Sequence, residues 1–120
     1  YPGVAIRVPG NVFYNGYMAT RELLRAVERA GSTANIKVIK ELENLKVSAR
    51  ERMQHFDAYM NPNTHQMQQT IYLATANVGT EDPDDMFKIL TNSSPEVVQD
   101  MGAQSACKLE SYADTPTLDV

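Results

Sequence analysis

The stretch NPNTHQMQQTIYLATANV, residues 61–78, carries the reading on which the fold turns. Its first four residues are turn chemistry, because proline presets its own φ and asparagine side chains bond nearby backbone. The run Thr70–Val78 is rich in branched and aromatic residues, the composition of a strand. Ile71 and Leu73 fall on one side of that strand, and Tyr72, Ala74, Ala76 and Val78 on the other. Apolar groups at both parities predict a strand covered on both faces, as in a helix-clad sheet. His65 and the glutamines Gln66, Gln68 and Gln69 stand between turn and strand, where a reactive site, a metal site or the polar groups of a leading turn are the readings to weigh.

Upstream, the periodicity is helical. From Asn11, the residues Phe13, Tyr17, Thr20, Leu24 and Val27 recur at four-then-three spacing and draw one apolar stripe, widened by Leu23 and Ala30. Arg21, Glu22, Arg25, Glu28 and Arg29 occupy the opposite face, expected in solvent with i,i+3 pairing. Gly31 is placed to end the helix in a left-handed conformation. Ser32 or Thr33 then caps a second helix with the stripe Ile36, Ile39, Leu42 and Leu45. A short link makes the two helices packed neighbours, and two amphipathic stripes alone bury too little for a domain, so they read as cladding for a sheet.

The remaining segments are shorter. Val4, Ile6 and Val8, between prolines, suit a brief strand. Within Lys46–Ala58, the run SARERM reads as one helical turn or a polar bend, and QHFDAYM as a short strand. The acids of GTEDPDD are placed to open a short helix, DPDDMFKIL. Ser94 and Pro95 suit the cap and first position of a further turn. The tail beyond Gly102 reads as irregular.

Composition narrows the function classes. A chain of 120 residues, 42% hydrophobic and 22% charged, is one domain or a piece of one. No apolar run approaches the roughly 18–20 residues that span a bilayer. The net charge of −4 and the interleaving of basic with acidic residues argue against nucleic acid as a partner. Cys107 is the single cysteine, so no intrachain disulfide forms, and in its polar surroundings it reads as a bystander. The chain begins at Tyr1 with no basic and apolar leader ahead of its body, which reads as a processed or excised portion of something longer.

Catalytic and metal chemistry find little to stand on. His55 and His65 flank Asp57, but ten residues and a proline turn separate the imidazoles, which matches no ligand spacing; no metal site and no cofactor are expected. No GxSxG element or phosphate-cradling glycine loop is present. The cluster Glu81–Asp85 reads as a solvated, helix-opening group. The segment GNVFYNGY sets Phe13, Tyr14 and Tyr17 in the first turns of a helix, where aromatics can line a cleft and backbone amides can hold a carboxylate. Phe13 and Tyr17 lie on the core stripe; Tyr14 lies off it and is the better cleft residue.

The aromatic helix start, the run YMATRELLRAVERAGS, a second helix ending LENLK and the stretch FDAYMNPNTHQMQQTIYLA together resemble the C-terminal portion of type I periplasmic binding proteins, the substrate-binding proteins of ABC importers of the branched-chain amino-acid type. The resemblance covers nearly the whole chain from Asn11. It implies an α/β fold, a helix-clad sheet forming part of a two-lobed protein that closes on a ligand in its cleft. Residues 1–120 would be one C-terminal segment, with 11–78 the helix-helix-strand core of a lobe and 79–120 a hinge-proximal and C-terminal extension. The resemblance further implies a non-catalytic, exported, periplasmic protein whose partners are an amino acid, amide or small aromatic acid, an ABC permease in the membrane, and the remainder of the binding protein. Phe13 and Tyr14 match the position where relatives offer an aromatic to the ligand. The chain is less than half as long as these proteins, and the principal polar contacts to ligand would lie in the missing portion. A sensory or regulatory small-molecule-binding module on the same scaffold is the alternative, and an enzyme using His65 or Asp57 a third.

Overall fold

The computed structural model describes residues 10–97 and 109–117. Helix α1 (Asn11–Ala30) follows Gly10 and ends at Gly31, which takes φ 58° and returns its N–H to the Glu28 carbonyl. That is the left-handed stop expected from the sequence, where a Cβ would be costly. Helix α2 is Asn35–Glu43, capped by the backbone of Ala34 without a side-chain bond; Ser32 Oγ instead accepts from the Ala34 N–H at 3.0 Å. The chain then forms β1 (Lys46–Val47), α3 (Ala49–Arg52), β2 (Ala58–Asn61), β3 (Gln66–Gln68), β4 (Ile71–Ala76) and β5 (Phe87–Ser93). The architecture mixes helix and sheet. Strands β1, β2 and β3 form one antiparallel sheet in chain order, and β4 pairs with β5 in a separate hairpin.

The turn that opens NPNTHQMQQTIYLATANV joins β2 to β3. Thr64 and His65 both donate their N–H groups to the Asn61 carbonyl, at 3.3 and 2.8 Å, and Asn61 pairs across the ladder with Gln66. His65 closes this four-residue loop at φ 52°, a conformation that a non-glycine residue adopts only when its surroundings hold it.

The face of α1 that packs differs from the apolar stripe. Met18, Glu22 and Ala26, at successive i,i+4 positions, are its buried residues, while Phe13, Tyr17 and Leu24 are 68, 55 and 64% exposed. Thr20 is also exposed and Val27 only half-buried. The reason lies in partners. Charges at the margin of the packed face find opposite charges on neighbouring elements: Arg25 pairs with Glu51 at 3.3 Å and Arg29 with Glu41 at 3.2 Å. Ala26, with no side chain beyond Cβ, lets α2 approach. The i,i+3 pair of Glu22 and Arg25 forms at 3.7 Å, but Glu22 is 3% exposed rather than in solvent.

The second helix follows its expected stripe only in part. Val38 and Leu45 are buried, whereas Ile36, Ile39 and Leu42 are half-buried. Together with Met18, Ala26, Val47 and Ala58 they make the apolar interior. Glu22, Glu43, Arg52, Gln68 and Thr70 are buried beside it, so this interior is held by hydrogen bonds as well as by apolar contact.

Two expectations downstream are corrected. Thr70–Val78 does contain a strand, β4, but every residue of it is exposed. Among the described residues β4 has β5 as its only sheet partner and no layer over either face. The segment DPDDMFKIL is not a helix. Its acids form a turn in which Asp84 N–H donates to Asp82 Oδ1 at 2.9 Å and Asp82 N–H to Thr80 Oγ1 at 3.1 Å. Local side-chain acceptors thus compete successfully with a helix start. Phe87, Ile89 and Thr91, good strand formers, then pair with β4, with a register shift between Leu73 and Ala74. SARERM resolves as the helical turn α3, and QHFDAYM contributes β2. Residues 95–97 are helical from the buried Pro95. The proposed strand Val4–Val8 and Cys107 lie outside the described residues.

Candidate functional site

Arg52 sits at the centre of the corner where α1, α3 and the β3–β4 link meet. Ser48 and Glu51 set it there. Ser48 Oγ accepts from the Glu51 N–H at 3.3 Å, and Asp57 Oδ1 accepts from the Ala49 N–H at 2.7 Å, so the first amides of α3 are satisfied. The turn ends at Met53, left-handed at φ 53°, which directs the last helical side chain inward. Arg52 is 3% exposed.

Two contacts hold the guanidinium and a third holds the backbone of the same residue. The guanidinium carbon lies 5.6 Å from the centroid of the Tyr14 ring, within cation–π range. One terminal nitrogen donates to Gln69 Oε1, and the Tyr14 hydroxyl donates to the Arg52 carbonyl. Burial pushes the Tyr14 phenol above its ordinary range, against the opposing pull of the Arg52 charge. The Arg52 Nε–H has no partner, and among the described residues no carboxylate pairs with this cation.

Beside it opens a cavity of about 360 Å³, whose walls include Met18, Leu23, Leu42, Leu45, Met60 and Met67 as well as Arg52, Gln69 and Glu22. The Glu22 carboxylate is already matched, with Arg21 at 2.7 Å and Arg25 at 3.7 Å. The hydrogen bond to Glu22 also lifts the Arg21 guanidinium further above its usual range.

A second polar centre lies at the C-terminal end of α2. Glu43, at the last helical position, accepts from His65 Nε2 at 2.7 Å, from Ser111 Oγ at 2.8 Å, and from the Tyr112 N–H at 2.9 and 3.1 Å. Burial raises the Glu43 carboxyl, but the bonds from Tyr112, Ser111 and His65 together hold it below the usual carboxylate range. Leu109 N–H also donates to the Asn63 carbonyl at 2.6 Å. Residues 109–117 thus run as a strap from the β2–β3 turn to the start of α2, where Pro116 and Thr117 share a cavity with residues 32–37.

Serine, histidine and glutamate meet here in an order unsuited to nucleophilic catalysis. Activation of a serine needs histidine between hydroxyl and acid. Here the acid is in the middle, and both Ser111 and His65 Nε2 are engaged with it. The arrangement is that of a fastener.

The residues singled out by sequence are dispersed. Tyr14 belongs to the Arg52 corner, while Phe13, one residue earlier, is exposed with Tyr17 on the uncovered face of α1. His55 stacks edge-on against Phe56, with centroids 4.7 Å apart, and its N–H donates to the Tyr72 hydroxyl at 2.8 Å. Asp57 serves α3 and His65 serves Glu43, and among the described residues no three such groups converge as metal ligands. Arg52 and Glu43 were not singled out by sequence, whereas Gln69 stood among the glutamines weighed between turn and strand. Ser48-x-x-Glu51 is a capping-box spacing that marks the start of α3 and hence the position of Arg52. Glu43 offers no local signal, since its partners lie 22, 68 and 69 residues away.

No family model, curated protein or solved structure matches the chain.

Proposed function

We propose that this chain is the C-terminal portion of the solute-binding component of an ABC importer, a type I periplasmic binding protein, for amino acids or related small molecules. The observation that carries the reading is the uncovered apolar face of α1, with Phe13, Tyr17 and Leu24 each more than half exposed. A helix face this apolar is made to be covered. In a two-lobed binding protein, the remainder of the lobe supplies the cover. The phrase-level resemblance from Asn11 onward supports the same assignment.

On this reading the protein works by closure and does no chemistry. Ligand binds the closed arrangement of two lobes more tightly than the open one and shifts the population by that difference. Phe13 and Tyr14, at the start of α1, supply apolar contact to the ligand, and Tyr14 is steadied by the Arg52 carbonyl. The protein acts outside the cytoplasm, in the periplasm, and delivers its ligand to a membrane permease.

The test is a thermal-shift screen of the intact binding protein against amino acids, amides and small aromatic acids. A specific ligand at about 100 times its Kd stabilises the native state by about 2.7 kcal/mol, a rise of several degrees. Phe13→Ala is expected to weaken calorimetric affinity in the intact protein, and in the 120-residue chain, where the side chain is exposed, to leave the melting temperature unchanged. A screen in which no member of the three classes raises the melting temperature refutes the assignment.

A further inference from the structure

A guanidinium taken out of water and left with an unused donor is a strong demand for an anion. Arg52 makes that demand next to a cavity of about 360 Å³, at the lower end of the range of about 300–1,000 Å³ for small-molecule sites. We propose that this cavity is a binding site for a small monocarboxylate with a compact apolar body. The carboxylate accepts from the Arg52 guanidinium, and the body lies against Met18, Leu42, Leu45, Met60 and Met67.

Four observations select this ligand class. The cation is 3% exposed and its Nε–H is unpartnered, while Tyr14 and Gln69 fix the rest of the group in place. A planar guanidinium edge matches a carboxylate in two parallel bonds. The walls carry leucines and methionines, and methionine adapts to irregular apolar shapes. Only one uncommitted cation faces the cavity among its described lining residues, because Glu22 is answered by Arg21 and Arg25. One guanidinium in an apolar chamber balances a single negative charge; a phosphate, with more charge and more acceptors, would be left underpaired. The site is built entirely from this chain and does not depend on its belonging to an importer.

The experiment follows the melting temperature of the 120-residue chain with sodium salts of straight-chain acids from acetate to octanoate, against sodium chloride at equal ionic strength. Hexanol and hexylamine present the same body without the anion. The expected result is a rise with the carboxylates that peaks at intermediate chain length and is absent with hexanol and hexylamine. Arg52→Met removes the unmatched charge while keeping similar length, and is expected to lower the apparent hexanoate affinity by about 10- to 100-fold, the worth of charge-assisted hydrogen bonds. Ala19→Phe, at an exposed rim position, leaves Arg52 intact and is expected to block the response by filling the cavity. Should Arg52→Met fail to fold, Ala19→Phe decides alone. A hexanoate effect no larger than that of chloride, or one undiminished in either folded variant, overturns the proposal. A carboxylate response in this chain without any response to amino acids, amides or small aromatic acids in the intact protein leaves the site standing and removes the importer.

Discussion

The two sheets of this molecule invert the usual relation between strand quality and burial. Strands β1, β2 and β3 run only 2, 4 and 3 residues, carry lysine, asparagine and glutamines, and yet contain the buried Val47, Ala58 and Gln68. Strands β4 and β5 run 6 and 7 residues, hold isoleucines, leucines, a tyrosine and a phenylalanine, and are exposed along most of their length. A strand's composition states what cover it needs and cannot supply that cover. The small sheet receives it from α2, from Arg52 and from the strap at 109–117; the hairpin receives none from the described residues.

Substitutions can break or sharpen this contrast. The largest effect is expected at Glu43, where Glu43→Ala leaves the donors of Ser111, Tyr112 and His65 unmatched and costs about 2–4 kcal/mol in urea titrations. It should also expose residues 109–117 to limited proteolysis. A loss below about 0.5 kcal/mol would mean that the strap does not stabilise the small sheet. Next comes Met18→Ala, a large-to-small change at a position 0% exposed, expected to cost about 2 kcal/mol or more. Its counterpart Leu24→Ala, on the uncovered face, is expected to stay within about 0.5 kcal/mol. The reverse ranking would restore the apolar stripe as the packed face.

Acidification provides a third test. The Glu43 carboxyl is depressed in the folded protein from its ordinary 4.5. Its contribution is therefore fully present above that ordinary value and is lost as pH falls through the lower folded one. Stability measured from pH 6 downward should decline across that interval, and Glu43→Gln should flatten this part of the curve; an unchanged curve in the variant would assign the decline to other acids. The smallest effect belongs to the hairpin. Ile89→Thr, at a position 52% exposed, should change stability in urea titrations by less than about 0.5 kcal/mol. A loss above about 2 kcal/mol would show that β5 is covered after all.

What sequence revealed and what it concealed follow the range of the interactions. The ends of α1, the turn at Asn61–Thr64 and the strand from Ile71 were legible, because each depends on neighbours within a few residues: a glycine stop, a proline-asparagine turn, a branched run. The packed face of α1 was not, since Met18, Glu22 and Ala26 are the residues it buries while Arg25 and Arg29 pair with Glu51 and Glu41 at the exposed margin of that face, and helical periodicity registers neither. β5 was misread because carboxylates near a segment start favour a helix terminus and an Asx turn alike. Tyr14 was correctly separated from the stripe, but its partner Arg52 lies 38 residues on, and Glu43 is joined to the strap across still longer separations.

The register shift in the hairpin has a consequence for how that element tolerates insertion and deletion. Before it Leu73 faces Thr91, and after it Ala74 faces Ile89, so Leu90 is the surplus residue. In an uninterrupted ladder Lys88 would stand opposite Ala76; the surplus residue places Phe87 there and Ile89 opposite Ala74, gathering both with Tyr72 on one face. Losing Leu90 straightens the ladder and keeps every cross-strand pair. Gaining a residue between Lys88 and Ile89 shifts the frame beyond it and turns the lysine onto the apolar face. Length variation in this hairpin is thus expected to collect at position 90.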